Sequence, residues 1–434
     1  MASSIAPDVL YKKALVWDKE DILKKFKKNF YYPKGLGAKS IYFCGNSLGL
    51  MPKGVEKALR QECEDWANWG VEGHWKAKHP WIDYHKPFSK LLAPLCGAKV
   101  SEVVAMNSLT VNLHLALASF YRPTKERSVI LYEANAFSSD LYALESLITL
   151  RGLNPKECLH PVDQLDSMTI VKAILEIGDR LALVCLGGVN YYSGELLDMK
   201  KITAAAHQVG ALAGFDLAHA IGNVPLKLHG WKVDFAVWCT YKYLNSGPGA
   251  AGGLFVHEQH GNNKNTPRMA GWWGHEKKER FGMKPGFKPM TGAEGWQLSN
   301  APVFNLVAQR IALTVFKDAG LSNVYNKGKS MGEYFIECLT VLGAPTKNEK
   351  RRYAFSILTP LNAKLRGCQV SLRIQDKKGK ALFTLLEQAG IIGDWREPDV
   401  IRLTPVPLYN SYKEIFQVAE ALCKKAYLVF DDGR

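Results

Sequence analysis

The chain has 434 residues, of which 47% are hydrophobic and 22% are charged, and its formal net charge is +15. These values are typical of a soluble globular protein with two domains. No apolar stretch approaches the roughly 18 residues that a membrane-spanning helix requires. The residues after Met1 do not combine a basic stretch with an apolar core, so we predict no secretory signal and a cytoplasmic location.

The charge and the cysteines exclude some other classes of protein. Basic residues are scattered along the chain, and no DNA- or RNA-binding motif accompanies them. We therefore interpret the positive charge as a solvated surface that attracts anionic substrates. The nine cysteines lie far apart and none forms a C-x-x-C pair, so neither a zinc site nor a redox pair is indicated.

Strand-like and helix-like segments alternate along the first three hundred residues. In chain order, we predict helices from Pro52 and over 110–121, 139–150 and 198–209, and strands over 128–132 and 181–186 and in the apolar runs that begin at Ala211 and Val233. This alternation predicts an α/β fold whose central sheet is mostly parallel and is covered on both faces. Residues 258–268 are the best candidate for a long mobile loop.

The pattern changes after a predicted helix over 302–319. Short strands near 353–358, 369–374 and 401–404 interleave with helices near 380–389 and 412–424. These elements predict a smaller α+β domain. We divide the chain into an N-terminal arm over 1–50 that joins the small domain, a large domain over 51–310, and the small domain over 311–434.

Two reactive side chains follow the last two strands of the large domain. Asp216 ends the run from Ala211, and Lys242 follows the run from Val233. Ligands of open α/β sheets bind at the carboxyl ends of the strands, so both side chains are expected there. Pyridoxal phosphate needs a lysine for its Schiff base and an acid beside its ring nitrogen. Taken singly, Lys242 could be a surface lysine and Asp216 a helix N-cap.

Neighbouring segments add the other groups that this cofactor requires. Asn107–His114 places the Thr110 hydroxyl and free N–H groups at a helix start, which favours phosphate binding. Tyr241 is a further phosphate donor, and His219 would hold Asp216 or the cofactor ring. Residues 245–253 are rich in glycine, which allows backbone to pass close to a ligand. They do not form a nucleotide-binding P-loop.

Several segments together resemble the kynureninase family, whose members are pyridoxal phosphate enzymes of fold type I. The resemblance covers about residues 40 to 425, and its segments occur in the order of the family. They are 42–50 (YFCGNSLGL), 107–114 (NSLTVNLH), 137–140 (FSSD), 214–220 (GFDLAHA), 241–245 (YKYLN), 271–275 (GWWGH), 298–300 (LSN) and 404–411 (TPVPLYNS).

The resemblance implies a site residue by residue. The residues expected to bind the cofactor are Leu109, Thr110, Phe137, Ser138, Ser139, Asp140, Gly187, Asp216, His219, Tyr241, Lys242, Trp272 and Asn300. Phe137 would stack on the ring, and Trp272 and Asn300 would come from the partner subunit of a homodimer with shared active sites. Gly187 is a departure, because the family usually has a hydroxyl side chain there.

The implied reaction is the hydrolytic cleavage of the Cβ–Cγ bond of L-3-hydroxykynurenine or L-kynurenine, in tryptophan catabolism and NAD biosynthesis. Lys242, Tyr192 and Asp216 are the expected catalytic residues, with Lys242 as general base and Tyr192 as a later acid or base. The expected substrate contacts are His74, Trp273, Ser299, Asn300 and Arg402. Arg402 would hold the substrate carboxylate, and His74 the ring hydroxyl. Tyr192 could instead be a packed loop aromatic, and Trp273 stands where phenylalanine is commoner.

Two other functions compete with this interpretation. Another enzyme of the same fold, such as an aminotransferase or a cysteine desulfurase, would use the same lysine and aspartate. A desulfurase would also need a cysteine on a loop beyond the lysine, and residues 243–337 contain none. A basic nucleic-acid-binding protein that has lost its cofactor would be expected to have lost Asp216 or Lys242, and both are present.

Overall fold

The computed structural model describes residues 6–37, 40–343, 355–375 and 378–430. Its α-helices are α1 (Pro7–Glu20), α2 (Val55–Trp69), α3 (Gly73–Lys76), α4 (Lys86–Cys96), α5 (Leu109–Phe120), α6 (Ser138–Leu150), α7 (Pro155–Cys158), α8 (Ser167–Ile177), α9 (Met199–Gln208), α10 (Glu258–Gly261), α11 (Val303–Ala319), α12 (Leu321–Leu342), α13 (Gly379–Gln388) and α14 (Tyr412–Phe430). Its strands are β1 (Ile41–Tyr42), β2 (Val103–Ala105), β3 (Val129–Glu133), β4 (Leu159–Val162), β5 (Leu181–Gly187), β6 (Leu212–Asp216), β7 (Phe235–Trp238), β8 (Gly253–Val256), β9 (Phe355–Ile357), β10 (Val370–Ile374), β11 (Ile391–Ile392), β12 (Asp394–Arg396) and β13 (Val400–Leu403).

A seven-stranded sheet forms the centre of the large unit, in the order β2-β8-β7-β6-β5-β3-β4. Strands β4, β3, β5, β6 and β7 are mutually parallel, whereas β8 runs antiparallel to both of its neighbours. The inner strands are apolar on both faces, as parallel strands covered by helices must be. The predicted α/β fold with a mostly parallel sheet is therefore confirmed.

The carboxyl ends of the parallel strands meet at one edge of this sheet. Gly187, the last residue of β5, lies directly opposite Asp216, the last residue of β6, which in turn pairs with Val237 of β7. The loop after β7 carries Lys242. Three consecutive strands therefore deliver the candidate site residues to one place.

The C-terminal part of the chain has a separate antiparallel sheet and its own core. Its strands run in the order β12-β13-β10-β9, and α12, α13 and α14 pack with them around a buried cluster that includes Met331, Leu372 and Leu422. Leu10 and Ala14 of α1 belong to the same cluster. The three-part division of the chain stays a prediction. The packing of α1 in this cluster agrees with the predicted N-terminal arm that joins the small domain.

The segment before α2 connects the two units. Strand β1 pairs in parallel with β11 of the C-terminal part. A few residues later, the Gly49 N–H donates to the Tyr241 carbonyl over 2.8 Å, and a Cβ at Gly49 would lie 2.4 Å from the Lys242 carbonyl oxygen. Only glycine allows this close approach, so the segment packs directly on the loop that carries the lysine.

The predicted elements lie within a few residues of the observed ones, but several elements were not predicted. These are the helices α1, α3, α4, α7, α8, α10 and α12 and the strands β1, β2, β4, β8, β11 and β12. Residues 258–268 begin with the short α10 and continue as irregular chain; their predicted mobility stays a prediction. No helix of the described residues is long and apolar enough to cross a membrane.

Candidate active site

The amine of Lys242 points into a cleft at the carboxyl edge of the central sheet. Its Nζ lies 2.9 Å from Nε2 of His219 and 5.9 Å from the ring centroid of Phe137. Burial, and then the nearby charge of Lys242, lower the pKa of His219 well below its usual value. His219 is therefore neutral at pH 7, and its Nε2 accepts a hydrogen bond from the lysine.

Two carboxyl groups, those of Asp140 and Asp216, face each other in this cleft. Burial raises the pKa of Asp216, but the positive charge of Lys242 and the Ala218 N–H, which donates to Asp216 Oδ1 over 2.6 Å, oppose this rise. Burial and the charge of Asp216 raise the pKa of Asp140 well above its usual value. Because two adjacent buried carboxylates cannot both ionise easily, Asp140 keeps the proton and Asp216 carries the charge.

A third carboxyl group, Glu133, closes the floor of the cleft. It ends β3 and is buried, with Oε1 accepting the Gly187 N–H over 2.6 Å and Oε2 accepting Asn190 Nδ2 over 2.9 Å. Burial raises its pKa to about 7. A Cβ at Gly187 would lie 2.8 Å from Glu133 Oε1. The glycine therefore leaves room for Glu133 where the family usually has a hydroxyl side chain.

The opposite end of the cleft is lined by the first turns of two helices. Leu109 and Thr110 begin α5, and the Thr110 hydroxyl lies 2.8 Å from the Ser139 hydroxyl at the start of α6. Neither helix has a side-chain cap among the described residues, so the first N–H groups of both helices are available to a ligand. Two converging helix starts with hydroxyl groups are well suited to bind a phosphate.

The glycine-rich segment supports this end from below. Gly252 donates its N–H to the Asn107 carbonyl over 2.7 Å, and its carbonyl accepts the Met106 N–H. A Cβ there would lie 2.6 Å from the Trp238 carbonyl oxygen and 3.3 Å from the Leu109 nitrogen. The glycine therefore brings the chain before β8 close to the start of α5.

Aromatic side chains form the walls of the cleft. The half-exposed ring of Phe137 meets the ring of Tyr191 edge-on at a centroid distance of 5.5 Å. Tyr241 also lines the cleft, and burial raises the pKa of its phenol, which therefore stays protonated. Ser138 is exposed and is not among the described residues that line the cleft.

The structure does not bring Tyr192 into the cleft. Its hydroxyl donates to Asp399 Oδ1 over 3.1 Å, and the neighbouring Tyr191 lines the cleft instead. Asn190 fixes this arrangement, because its Oδ1 accepts the N–H groups of both Tyr192 and Ser193 and so folds the loop back on itself. The acid–base role predicted for Tyr192 therefore gains no support from its position.

Arg402 lies behind Tyr191 and is 1% exposed. Its Nη1 donates to the Tyr191 carbonyl over 2.6 Å, and its Nη2 forms a short ion pair with Asp394. The guanidinium is thus close to the cleft, with Tyr191 between them.

The other predicted substrate residues lie outside the cleft of this chain. His74 Nδ1 is bonded to the Val71 carbonyl over 3.0 Å, whereas Ser299 and Asn300 are exposed. Trp272 is 44% exposed, and Trp273 is buried against the guanidinium of Arg280 at 4.3 Å. Within one chain, none of these five side chains lines the cleft among the described residues.

Three residues that the sequence analysis missed shape the site: Glu133, Tyr191 and Asp394. Glu133 is a polar residue at the end of a buried strand, which is the same pattern that identified Asp216. Tyr191 could not be separated from Tyr192 by position alone. Asp394 lies on β12, a strand of three residues that was not predicted.

The cleft suits a flat anionic heterocycle with a phosphate at one end. Asp140 Oδ1 and His219 Nδ1 are buried and have no partner among the described residues, so polar groups remain for a ligand to meet. Ionised Asp216 would face a protonated ring nitrogen, the starts of α5 and α6 would hold the phosphate, and Lys242 would reach the aldehyde. These residues fit pyridoxal phosphate.

Comparison with known proteins places these features in context. A family model described as the kynureninase C-terminal domain matches residues 324–422. A protein of Flavobacterium psychrophilum named kynureninase is 45% identical over 413 residues, which are 94% of this chain and 96% of that protein.

Solved structures show the same fold at low identity. A cysteine desulfurase from Thermococcus onnurineus NA1 matches with a TM-score of 0.72 and 19% identity, over 92% of this chain and 98% of that chain. A variant of the protein C-DES, with glycine covalently linked to its PLP cofactor, matches with a TM-score of 0.74 and 17% identity, over 91% of this chain and 98% of that chain.

Proposed function

The chain belongs to the kynureninase family, a family of pyridoxal phosphate-dependent hydrolases, and we propose that its site prefers L-3-hydroxykynurenine to L-kynurenine. The reaction cleaves the Cβ–Cγ bond with water and gives L-alanine with 3-hydroxyanthranilate or anthranilate. The observation that carries the assignment of the site is the meeting of Lys242 and Asp216 at one cleft, with the paired starts of α5 and α6 at its other end.

When bound, pyridoxal phosphate supplies an electron-accepting ring conjugated to the substrate amine. Leu109, Thr110 and Ser139 would hold its phosphate, through the helix N–H groups and the two hydroxyls. Asp216 would keep the ring nitrogen protonated, and protonated Asp140 would hold Asp216 in place without competing for the positive charge.

Lys242 is the residue that moves protons at the substrate Cα. Its Nζ would take the Cα proton of the bound substrate as a general base. Neutral His219, 2.9 Å away, holds the amine in the cleft by accepting a hydrogen bond. Because His219 carries no charge at pH 7, it does not repel the lysine.

We assign the later proton transfers to Tyr241, one of the phenols that line the cleft. It precedes Lys242, lines the cleft, and stays protonated because burial raises its pKa. It would give a proton to Cβ of the substrate, while Tyr192 holds its loop through Asp399. The catalytic role predicted for Tyr192 stays a prediction.

We also propose that the active enzyme is a homodimer. Exposed aromatic side chains lie on and around α2, and their residues are Trp66, Trp69, Trp75 and Phe304. Trp272 is a further exposed aromatic residue. Trp272 and Asn300 are exposed and outside the cleft of their own chain, so only a second copy could bring them to it. The same second copy would supply His74 and Ser299 to the aryl end of the substrate. We propose a cytoplasmic location for this dimer.

Incubation of the purified holoenzyme with each substrate tests the proposal. The expected result is release of 3-hydroxyanthranilate and L-alanine with a higher kcat/KM than for release of anthranilate from L-kynurenine, because polar groups built for a hydroxyl go unpaired without it. A higher kcat/KM for L-kynurenine would contradict the preference. Release of neither product would contradict the function itself.

A further inference from the structure

A second guanidinium lies beside Arg402, and the strand register explains why. Asp394 on β12 pairs directly with Arg402 on β13, so their side chains share one face of the sheet. Arg396 is two residues beyond Asp394 on the same strand and therefore points to the same face. Both arginines bind the same oxygen of Asp394, Arg396 through Nη2 at 3.1 Å and Arg402 through a shorter contact.

The charges of this cluster do not balance. Two guanidinium groups face one carboxylate, and two of the three groups are shielded from water, with 1% of the Arg402 side chain and 10% of the Asp394 side chain exposed. A buried charge without a partner is unfavourable. One further anion at this point would neutralise the cluster.

The unused donors show where an anion would bind. The Nε atoms of both Arg396 and Arg402 are buried and have no hydrogen-bond partner among the described residues. Each guanidinium therefore keeps one unpaired N–H group that can donate to a carboxylate oxygen. The Arg396 side chain is 35% exposed, whereas Arg402 is closed off. An entering carboxylate would meet Arg396 first.

The cluster is connected to the cleft through Tyr191. The Arg402 Cζ atom is 5.9 Å from the Tyr191 ring centroid, and the Tyr191 carbonyl accepts from Arg402 Nη1. Tyr191 also lies 6.4 Å from the His219 ring, which contacts Lys242. A carboxylate held at the cluster would therefore belong to a molecule whose amine reaches Lys242.

We propose that Arg396 is a second carboxylate-binding residue beside Arg402, and that Asp394 is a positioning residue that holds both guanidinium groups. This inference rests on the proposed function, in which Arg402 binds the α-carboxylate of the amino-acid substrate. Asp394 stays in place when the carboxylate binds, and the four groups together are then neutral. The ligand class is an α-amino acid, and the free carboxylate is the group recognised.

The role of Arg396 is tested by measuring how tightly the holoenzyme binds L-alanine and L-alaninamide. Binding is monitored through the change in the absorption of the cofactor. The two ligands differ only in the carboxylate. Arg396→Gln is expected to weaken L-alanine binding about tenfold, the loss of one charge-assisted contact, and to leave L-alaninamide binding within about twofold. Arg396→Lys restores the charge without the fork and is expected to lie between. Arg180→Gln, an exposed surface change, serves as the matched control.

The variant of Arg402 separates the two levels of the proposal. If Arg402→Gln selectively weakens the binding of L-alanine and Arg396→Gln does not, the proposal of a second carboxylate-binding residue is wrong and the proposed function stands. If Arg402→Gln also weakens the binding of L-alanine no more than the binding of L-alaninamide, the proposed role of Arg402 is wrong as well. Equal weakening of both ligands by Arg396→Gln would reduce that residue to a structural role and would overturn the inference.

Asp394 has a test of its own. Asp394→Ala is expected to raise the KM for L-kynurenine about tenfold with kcat changed less than threefold, because only the orientation of the guanidinium groups is lost. Asp394→Asn keeps an acceptor oxygen and is expected to recover part of the affinity. Tighter binding of L-alanine to Asp394→Ala would show that Asp394 competes with the ligand, and would overturn the positioning role.

Discussion

His219 Nε2 accepts a hydrogen bond from Lys242 Nζ over 2.9 Å, and it does so as a neutral ring. The loop after β6 supplies the histidine and the loop after β7 supplies the lysine, so the contact exists because these strands are adjacent in the sheet. The Lys242 amine is therefore held in the cleft by a hydrogen bond to a neutral group and not by an ion pair.

Removing this contact is expected to slow the reaction. His219→Ala leaves Lys242 without its partner, and we expect kcat to fall about 100-fold, within the range typical of groups that position an acid or base. The measurement is steady-state kinetics of anthranilate release, with circular dichroism to show that the variant folds. An unchanged kcat would contradict the role given to His219.

The two aspartates of the cleft are expected to respond differently to the same change. Asp216→Asn removes the charge that faces the ring nitrogen and should lower kcat by roughly 100-fold or more. Asp140→Asn replaces a group that is already protonated and should lower kcat by less than about tenfold. Kinetics of both variants at pH 7 check this order. A larger loss in Asp140→Asn would show that the charge resides on Asp140.

Two tyrosines provide a matched comparison of the proton donor. Tyr241→Phe removes a phenol that lines the cleft, and we expect kcat to fall about 100-fold. Tyr192→Phe removes a hydroxyl that donates to Asp399 outside the cleft, and we expect kcat to stay within about threefold. The reverse order in kcat would restore Tyr192 as the catalytic residue.

The pH dependence of stability is expected to centre on Asp234, at the opposite end of the sheet. Buried Asp234 accepts hydrogen bonds from His207 at 2.8 Å and His260 at 2.7 Å. Burial would raise the pKa of Asp234, but these contacts outweigh it and hold that pKa below its usual value. The hydrogen bond to Asp234 in turn raises the pKa of His207.

The sign of this effect follows from the two shifts. The contribution of His207 is complete below its ordinary pKa of about 6.5 and is lost as the pH rises through its higher folded value. That of Asp234 is present above about pH 4 and is lost as the pH falls through its lower folded value. Asp234→Asn should therefore cost roughly 3 kcal/mol near pH 5.5 and less near pH 8.5. Urea unfolding at both pH values measures the difference. An equal cost at both would contradict this account.

Local patterns predicted the sheet and the core of the site because buried parallel strands are continuous apolar runs. Asp216 and Lys242 follow such runs, the start of α5 was predicted from its hydroxyl residue at a helix start, and the resemblance added Phe137. The long α12 was not predicted, because its mixed sequence has glycines at Gly328 and Gly332. Its packing against α14 and β10 stabilises it, and this tertiary packing is not visible in local propensity.

The direction in which individual side chains point could not be predicted from the sequence either. Tyr191 and Tyr192 are adjacent and chemically alike, and only the folding of their loop around Asn190 decides which one enters the cleft. The ion pair of Asp394 with Arg402 depends on the register of two short strands. The positions of Trp272 and Asn300 relative to the cleft depend on a second copy of the chain, which no single sequence specifies.

The most direct test of the central claim is to identify the lysine that carries the cofactor. The holoenzyme is reduced with borohydride, digested, and the peptide that bears the pyridoxyl group is sequenced by mass spectrometry. The account predicts the group on Lys242, with none on any other lysine and none in Lys242→Ala. A pyridoxyl group on a different lysine, or none after incubation with pyridoxal phosphate, would contradict it.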